Sequence, residues 1–146
     1  MPDRTGGIAR TSPLRRNPLY SSGPTKPRKA PRSAEEREAK RLVRERSNGW
    51  CELQLSCCVG RAYDFSHRIA VGRGGRWEAS NGLDACRWCH TAITNTNGHR
   101  AEYERLGYIV QTGADTTQVA VLIAGRFVLL ADDGSTQDYQ DQQKGA

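Results

Sequence analysis

Five cysteines lie within a short part of the chain, between residues 51 and 89. Two of them, Cys86 and Cys89, form a Cys-x-x-Cys pair, the spacing at which two thiolates chelate one Zn²⁺ from a turn that enters a helix. The second pair is Cys51 with either Cys57 or Cys58, and the spacing alone does not decide between the two. Because four thiolates complete a tetrahedral structural site, the pattern predicts one structural zinc ion and one spare cysteine.

Two histidines and an asparagine are interleaved with these cysteines. His67 follows the segment Tyr63-Asp-Phe-Ser, Asn81 stands in Ser80-Asn-Gly-Leu83, and His90 comes directly after Cys89. Alone, each has a simpler explanation, because a single histidine is often an ordinary surface or core residue and Asn-Gly is a common turn. The ordered set inside a cysteine frame is more specific, and it indicates a functional site.

Periodicity and capping residues indicate the elements that must position these side chains. Ser33-Ala-Glu-Glu36 is a capping box that predicts a helix to about Ser47, ended by Asn48-Gly49. Alternating apolar and polar residues over 62–69 predict a strand that leads into a glycine-rich loop. The remaining expected elements are a helix that carries Cys89 and His90 and continues to about Asn97, a helix over 100–106, and strands over 108–112, 118–124 and 127–131, with Gly125 as the first residue of a type II′ turn.

The basic charge is concentrated in the N-terminal third. The chain of 146 residues has a formal net charge of +6, but residues 1–46 alone hold thirteen basic and five acidic residues, a net of +8. Residues 1–32 lack hydrophobic periodicity and contain all six prolines, which predicts a disordered basic arm that either aids binding to nucleic acid or serves as a solubilising linker. The acidic end, 133–146, is predicted to be a disordered tail.

The apolar content is low, and it limits the class of protein. With 36% hydrophobic residues the core is small, and a small core usually needs a staple such as a metal. The longest apolar run, Val119–Ala124, is far shorter than the ~20 residues of a membrane-spanning helix, so no membrane partner is expected. No segment has the features of a secretory signal, so we expect the protein to be in a reducing compartment, where the cysteines stay reduced.

The motifs together resemble a known family. Cys51-Glu-Leu…Cys58, Asp64-Phe-Ser-His67-Arg, Gly74-Gly75, Ser80-Asn81-Gly-Leu83 and Cys86-Arg-Trp-Cys-His90 are similar to the HNH endonucleases, in particular the zinc-braced type of bacteriophages and prophages. The resemblance covers about residues 48–110. It favours Cys58 over Cys57 as the zinc ligand, and it implies an α+β fold around a small ββα-metal (treble-clef) unit. The expected segments are a basic arm (1–32), a charged helix (33–47), the nuclease domain (48–110), a trailing β-hairpin (111–132) and an acidic tail (133–146).

The resemblance also implies a role for each site residue. His67 matches the general base that takes a proton from the attacking water, and an imidazole pKa near ~6.5 suits that task. Asn81 matches the residue that holds the hairpin and orients the base, and His90 matches a ligand of a catalytic divalent cation such as Mg²⁺, Mn²⁺ or Ni²⁺. The family usually has Asp or His where this chain has Ser66. We therefore expect that Ser66 ligates weakly, that Asp64 replaces it, or that cleavage is slow or lost.

Double-stranded DNA is the expected partner. An alternative is a zinc-stapled DNA-binding module without activity, and the resemblance further implies an association with the large subunit of a phage terminase, in the cytoplasm of a bacterial host. Basic residues of the first helix either track phosphates or form a plain surface. Trp77 and Trp88 are expected to pack around the zinc rather than to stack at a groove. The candidate DNA contacts are Arg61, Arg68, Arg73, Arg76 and Arg87.

Overall fold

The computed structural model describes Ala30 and residues 32–140, and the predictions for the rest of the arm and for 141–146 lie outside the described residues. The fold is α+β, as predicted. In chain order its elements are α1 (Ala34–Ser47), β1 (Asp64–His67), β2 (Gly82–Ala85), α2 (Arg87–Asn95), α3 (Arg100–Arg105), β3 (Val121–Ile123), β4 (Arg126–Leu130) and β5 (Thr136–Asp138), with short 3₁₀ turns at Val71–Arg73, Ala79–Asn81 and Thr116–Gln118.

Helix α1 begins and ends where its capping residues predict. The Ser33 side chain accepts a hydrogen bond from the backbone N–H of Glu36 at 3.1 Å. At the other end Asn48 adopts a left-handed conformation with φ 52°, which ends the helix. Only Ala39 and Val43 are buried, so α1 packs through a narrow apolar stripe and keeps most of its charged face in water.

Strands β1 and β2 form an antiparallel pair that leads directly into α2. Asp64 pairs with Ala85 and His67 pairs with Gly82, so the two strands match over their full length. Cys86 is the N-cap of α2 and connects β2 to that helix without a loop. This continuity places the last cysteines and His90 on the first turn of a helix whose position is set by the strand pair.

A second sheet, in the order β3-β4-β5, follows α3. The chain after α3 differs from the prediction in three respects. Residues 108–112 are not a strand, because the backbone N–H groups of Tyr108 and Ile109 donate to Tyr103 at the end of α3. The turn between β3 and β4 consists of Ala124 and Gly125, with φ of 50° and 78°, and two positive φ values fit type I′ instead of II′.

The third difference is in the tail that the composition predicted to be disordered. Residues 136–138 form β5, which pairs with β4 and extends the predicted hairpin to three strands. Edge strands with fully polar faces carry no hydrophobic signal, and all three residues of β5 are exposed. From Arg32 onward the described chain forms a single compact unit, so the predicted helix, nuclease segment and trailing hairpin pack together. No helix in this described part is long and apolar enough to cross a membrane.

Gly82 is a position where a side chain cannot be accommodated. A Cβ atom added there would overlap the ring of Phe65, which packs on the opposite strand. We expect Gly82→Ala to lower the free energy of unfolding by about 1–3 kcal/mol, the usual cost of overpacking. The measurement is urea unfolding followed by circular dichroism. Gly72→Ala is the matched control, because a Cβ at Gly72 meets nothing within 4 Å, and equal stability of the two variants would contradict the prediction.

Candidate metal centre and histidine cleft

Four of the five cysteines converge on one point. The Sγ atoms of Cys51, Cys58, Cys86 and Cys89 all lie within 4.8 Å of one another, and no cysteine forms a disulfide. Four thiolates around one zinc at ~2.3 Å stand roughly 3.8 Å apart, so a small contraction of the cluster brings it to that geometry. Cys57 is exposed and outside the cluster. The structure thus brings Cys58, the residue favoured by the resemblance, to the other three.

Backbone amides point at the sulfur atoms of this cluster. The N–H of Gly60 donates to Cys58 Sγ at 3.3 Å, and the N–H of Cys89 donates to Cys86 Sγ at 3.4 Å. Burial is the largest single influence on the pKa of Cys86 and acts to raise it, but hydrogen bonds from the amides of Val59 and Cys89 and from the thiols of Cys89 and Cys51 together lower this pKa to about 7. Burial raises the pKa of Cys51. Amide donors favour thiolates, so the donor set fits a structural metal such as zinc.

His67 and His90 line one cleft of about 300 Å³ beside this cluster. The cleft lies between β1, α2 and the start of α3. Its walls combine the two imidazoles with Arg73 and Arg100 and with apolar side chains such as Ile93. Two histidines and two guanidinium groups around an open cleft make a site suited to an anionic group such as a phosphodiester.

The His67 ring is enclosed by aromatic side chains. Its centroid lies 4.8 Å from the ring of Phe65 and 4.3 Å from the ring of Trp77, both in edge-to-face orientation. Its Nε2 atom is buried and has no hydrogen-bond partner among the described residues. Burial, followed by the nearby His90 and Lys40, lowers the pKa of His67 below its usual 6.5. The imidazole is therefore neutral at pH 7, the form in which it can accept a proton.

Asn81 is fully enclosed and acts on the loop between β1 and β2. Its Oδ1 atom accepts from the backbone N–H of Ile69 at 2.7 Å, while Nδ2 donates to the carbonyls of Ile69 and Arg76 at 3.1 and 3.0 Å. The backbone N–H of Arg68 donates to the Asn81 carbonyl at 2.8 Å. These four bonds fix the chain directly after His67, so Asn81 is a positioning residue.

Asp64 and Ser66 each line a cleft together with His90. Asp64 Oδ2 is 3.6 Å from His90 Nδ1, and it also accepts from Arg87 Nε at 2.9 Å. Ser66 is 2% exposed and lines the cleft with both histidines. In the described part of the chain, only the cysteine cluster groups three or more His, Cys, Asp or Glu ligand atoms at metal spacing. Beside His90 the described residues thus place one carboxylate oxygen, which is already paired with Arg87.

Arg68 is not a DNA contact, contrary to the sequence expectation. Its side chain is 1% exposed, and its guanidinium donates to the carbonyls of Gly107, Ser80, Thr116 and Val119 at 2.6–3.0 Å. Burial, with a smaller contribution from nearby Arg46, lowers the pKa of Arg68 to about 10, so it stays charged at pH 7. This arginine connects β1 to the C-terminal part of the fold.

The other four candidate arginines are exposed, but they are in different positions. Arg73 lines the histidine cleft, whereas Arg76 lies outside it and points to solvent. Arg61 stacks on the ring of Trp50, and Arg87 pairs with Asp64. Arg100 also lines the cleft, and no motif around it predicts this position, because only the packing of α3 brings it there.

The basic face of α1 is occupied by ion pairs. Arg41 binds Glu38 and Glu45, and Lys40 binds Glu36, each at 2.6 Å. Arg44 binds Asp84 at 2.8 Å and ties α1 to β2. The helix is thus closer to a structural surface helix than to a free phosphate-binding face.

A buried ion pair that the sequence did not predict also helps to attach α1 to β2. Arg46 and Glu52 are 6% and 5% exposed and form an ion pair at 2.7 Å. Glu52 also accepts from the backbone N–H of Asp84, and Arg46 donates to the carbonyls of Ala79 and Gly82. Two charged residues six apart give no sign in sequence that they are buried together.

The expectation that Trp77 and Trp88 pack around the cysteine cluster is wrong. Trp77 lies against Phe65 and His67, and Trp88 is 61% exposed.

The chain matches no protein-family model, no curated protein and no solved structure. The chemistry of the cleft and the cysteine cluster must therefore carry any functional assignment.

Proposed function

We propose that the protein is a metal-dependent endonuclease of the HNH type, which hydrolyses DNA phosphodiester bonds on a zinc-braced ββα unit. The observation that carries this proposal is the shared cleft of His67 and His90 beside four clustered cysteines. In this assignment β1, β2 and α2 are the ββα unit, and the zinc on the cysteines holds the end of β2 and the start of α2 in place.

His67 acts as the general base. Its neutral imidazole takes a proton from the water that attacks the phosphorus, and the ring is held in place by Phe65 and Trp77. Asn81 fixes the backbone that follows the base, and Arg73 and Arg100 supply positive charge to the phosphate oxygens. The hydrogen bonds of Asn81 thus support catalysis without contact to the substrate.

His90 and Asp64 would hold the catalytic divalent cation. Two ligands of one cation at ~2.1 Å lie roughly 3 Å apart when they are adjacent, and the 3.6 Å between these two donor atoms is close to that value. A divalent cation bound there would supply Lewis-acid stabilisation of the negative charge on the scissile phosphate. Buried Ser66 takes the place of a charged ligand, so the chain offers a minimal donor set and Mg²⁺ would keep several waters.

A plasmid nicking assay tests the function, with supercoiled DNA and Mg²⁺, Mn²⁺ or Ni²⁺. We expect the wild-type protein to nick and His67→Ala to lower the rate about 10²–10⁴-fold, the usual contribution of a general base. His99→Ala is the matched control, since His99 is exposed at the start of α3 and does not line the cleft. It should nick at the wild-type rate.

The second candidate function is a zinc-stapled DNA-binding module without activity. Buried Ser66 in a ligand position favours it, because a neutral hydroxyl holds a hard cation poorly. In that case the wild-type protein binds plasmid and leaves it supercoiled with every metal. That result would contradict the nuclease proposal and support the DNA-binding function.

A further inference from the structure

A second cleft, which we call the Tyr63 groove, lies on the other side of His90. Its volume is about 400 Å³ and it runs between α1 and β1. It combines three aromatic side chains with three basic ones, and His90 belongs to the walls of both clefts. The lining residues that the argument uses are Lys40, Arg44, Tyr63, Phe65, Trp77 and His90.

Two exposed aromatic rings belong to this region, Tyr63 in the wall of the groove and Trp50 outside it. Tyr63 is 70% exposed and Trp50 is 51% exposed, whereas Ala62 between Arg61 and Tyr63 is 2% exposed. Because side chains alternate along extended backbone, Arg61 and Tyr63 project on the same solvent side. The Arg61 guanidinium lies 4.9 Å from the centre of the Trp50 ring, and the two residues are joined by a β-bridge. Trp50, Arg61 and Tyr63 thus form a row of aromatic and guanidinium surfaces.

The charge of this region is positive. Basic residues along the groove and the row outnumber the carboxylates around them by four to three. Arg44 is paired with Asp84, Arg32 and Lys40 are paired with Glu36, and Arg87, from outside the groove, is paired with Asp64. Among the described residues, Arg61 is therefore the basic residue of this set without a carboxylate partner. The basic residues are Arg32, Lys40, Arg44 and Arg61, and the acidic ones are Glu36, Asp64 and Asp84.

We propose that the Tyr63 groove and the Trp50–Arg61–Tyr63 row bind single-stranded DNA, with unpaired bases stacked on the exposed rings. Aromatic rings interleaved with guanidinium groups suit this ligand, because every base has a face that can stack and every linkage carries a phosphate. Bases inside a duplex are already stacked and cannot reach the rings. The row lies outside the histidine cleft, so strand binding does not depend on hydrolysis. Only delivery of that strand to His90 rests on the proposed function.

The test compares two labelled strands of equal length with the full chain and no added divalent cation. One is a twelve-nucleotide thymidine strand and the other is its abasic analogue, which keeps the phosphates and lacks the bases. Contacts of the basic N-terminal arm to phosphates then contribute equally to both. We expect the thymidine strand to bind the wild-type protein about tenfold more tightly, and Tyr63→Ala and Trp50→Ala each to remove most of that preference.

Tyr139→Ala is the matched control, because Tyr139 is 45% exposed and follows β5, away from the groove. It should keep the full preference. Equal binding of both strands by the wild-type protein would overturn the proposal. The proposal would also be overturned if the Tyr63→Ala and Trp50→Ala variants lost as much affinity for duplex DNA as for the single strand. If the wild-type protein prefers the thymidine strand but never nicks plasmid, the single-strand site is supported and only the nuclease function is refuted.

Discussion

Removal of the metal from the cysteine cluster is expected to unfold the protein. Binding of a structural zinc to four thiolates contributes about 10–16 kcal/mol, which equals or exceeds the ~5–15 kcal/mol stability of a typical domain. The cluster connects the loop after α1 to the start of α2, and Cys51, Cys86 and Cys89 are all part of the buried core. Without a metal, four clustered thiols, three of them buried, have no coordinate bonds to hold these two segments together in a chain with a small core.

The measurement is a thermal melt followed by circular dichroism, before and after treatment with a strong chelator, together with the zinc content per chain. We expect one zinc per chain, and a cooperative transition that disappears on chelation. Cys89→Ser should behave like the chelated protein. Cys57→Ser is the matched control, because Cys57 is exposed and outside the cluster. A melting temperature unaffected by chelation would show that the cysteines are ordinary core residues.

Loss of the Arg68 guanidinium is expected to have the next largest effect. Replacement by Met keeps an apolar side chain of similar length but leaves the carbonyls of Gly107, Ser80, Thr116 and Val119 without their donor. Each buried polar group without a partner costs about 1–3 kcal/mol, and partial relaxation limits the total. We expect Arg68→Met to lower the free energy of unfolding by about 3–5 kcal/mol.

Urea unfolding of the zinc-loaded protein measures this effect. Arg68→Lys retains one charged donor and should recover part of the loss, which keeps the comparison usable if the Met variant does not fold. Arg76→Met is the control, because the Arg76 side chain is 81% exposed, and we expect a change within about 0.5 kcal/mol. A loss below about 1 kcal/mol for Arg68→Met would mean that water replaces the guanidinium at those carbonyls.

Local signals in the sequence were sufficient for the features that depend on neighbouring residues. The Ser33 cap, the left-handed Asn48 and the Cys-x-x-Cys pair at the start of α2 all act over a few residues, and each is present in the structure. The resemblance added a choice that spacing could not make, between Cys57 and Cys58. The resemblance also implied the α+β class, and the helices and strands predicted from local signals agree with it.

What the sequence did not reveal depends on contacts between distant residues. Arg68 and Arg73 look alike in sequence, yet one is enclosed by backbone carbonyls and the other lines the cleft. Arg100 reaches the cleft only because α3 packs beside it, and β5 is a strand only because β4 offers it an edge. No periodicity or capping rule encodes such pairings, since they arise from tertiary packing.

The long reach of Arg68 has a consequence for the order of folding during synthesis. Its four carbonyl partners include Thr116 and Val119, which are made 48 and 51 residues after it. At about 5–20 residues per second, the ribosome needs roughly 2–10 s to supply them, and the exit tunnel delays them further. Until then the guanidinium has no enclosure, although all the cysteines and both cleft histidines have already been made. All four clustered cysteines are therefore made before the enclosure of Arg68 is complete, so the cysteine cluster can assemble before the C-terminal sheet packs against it.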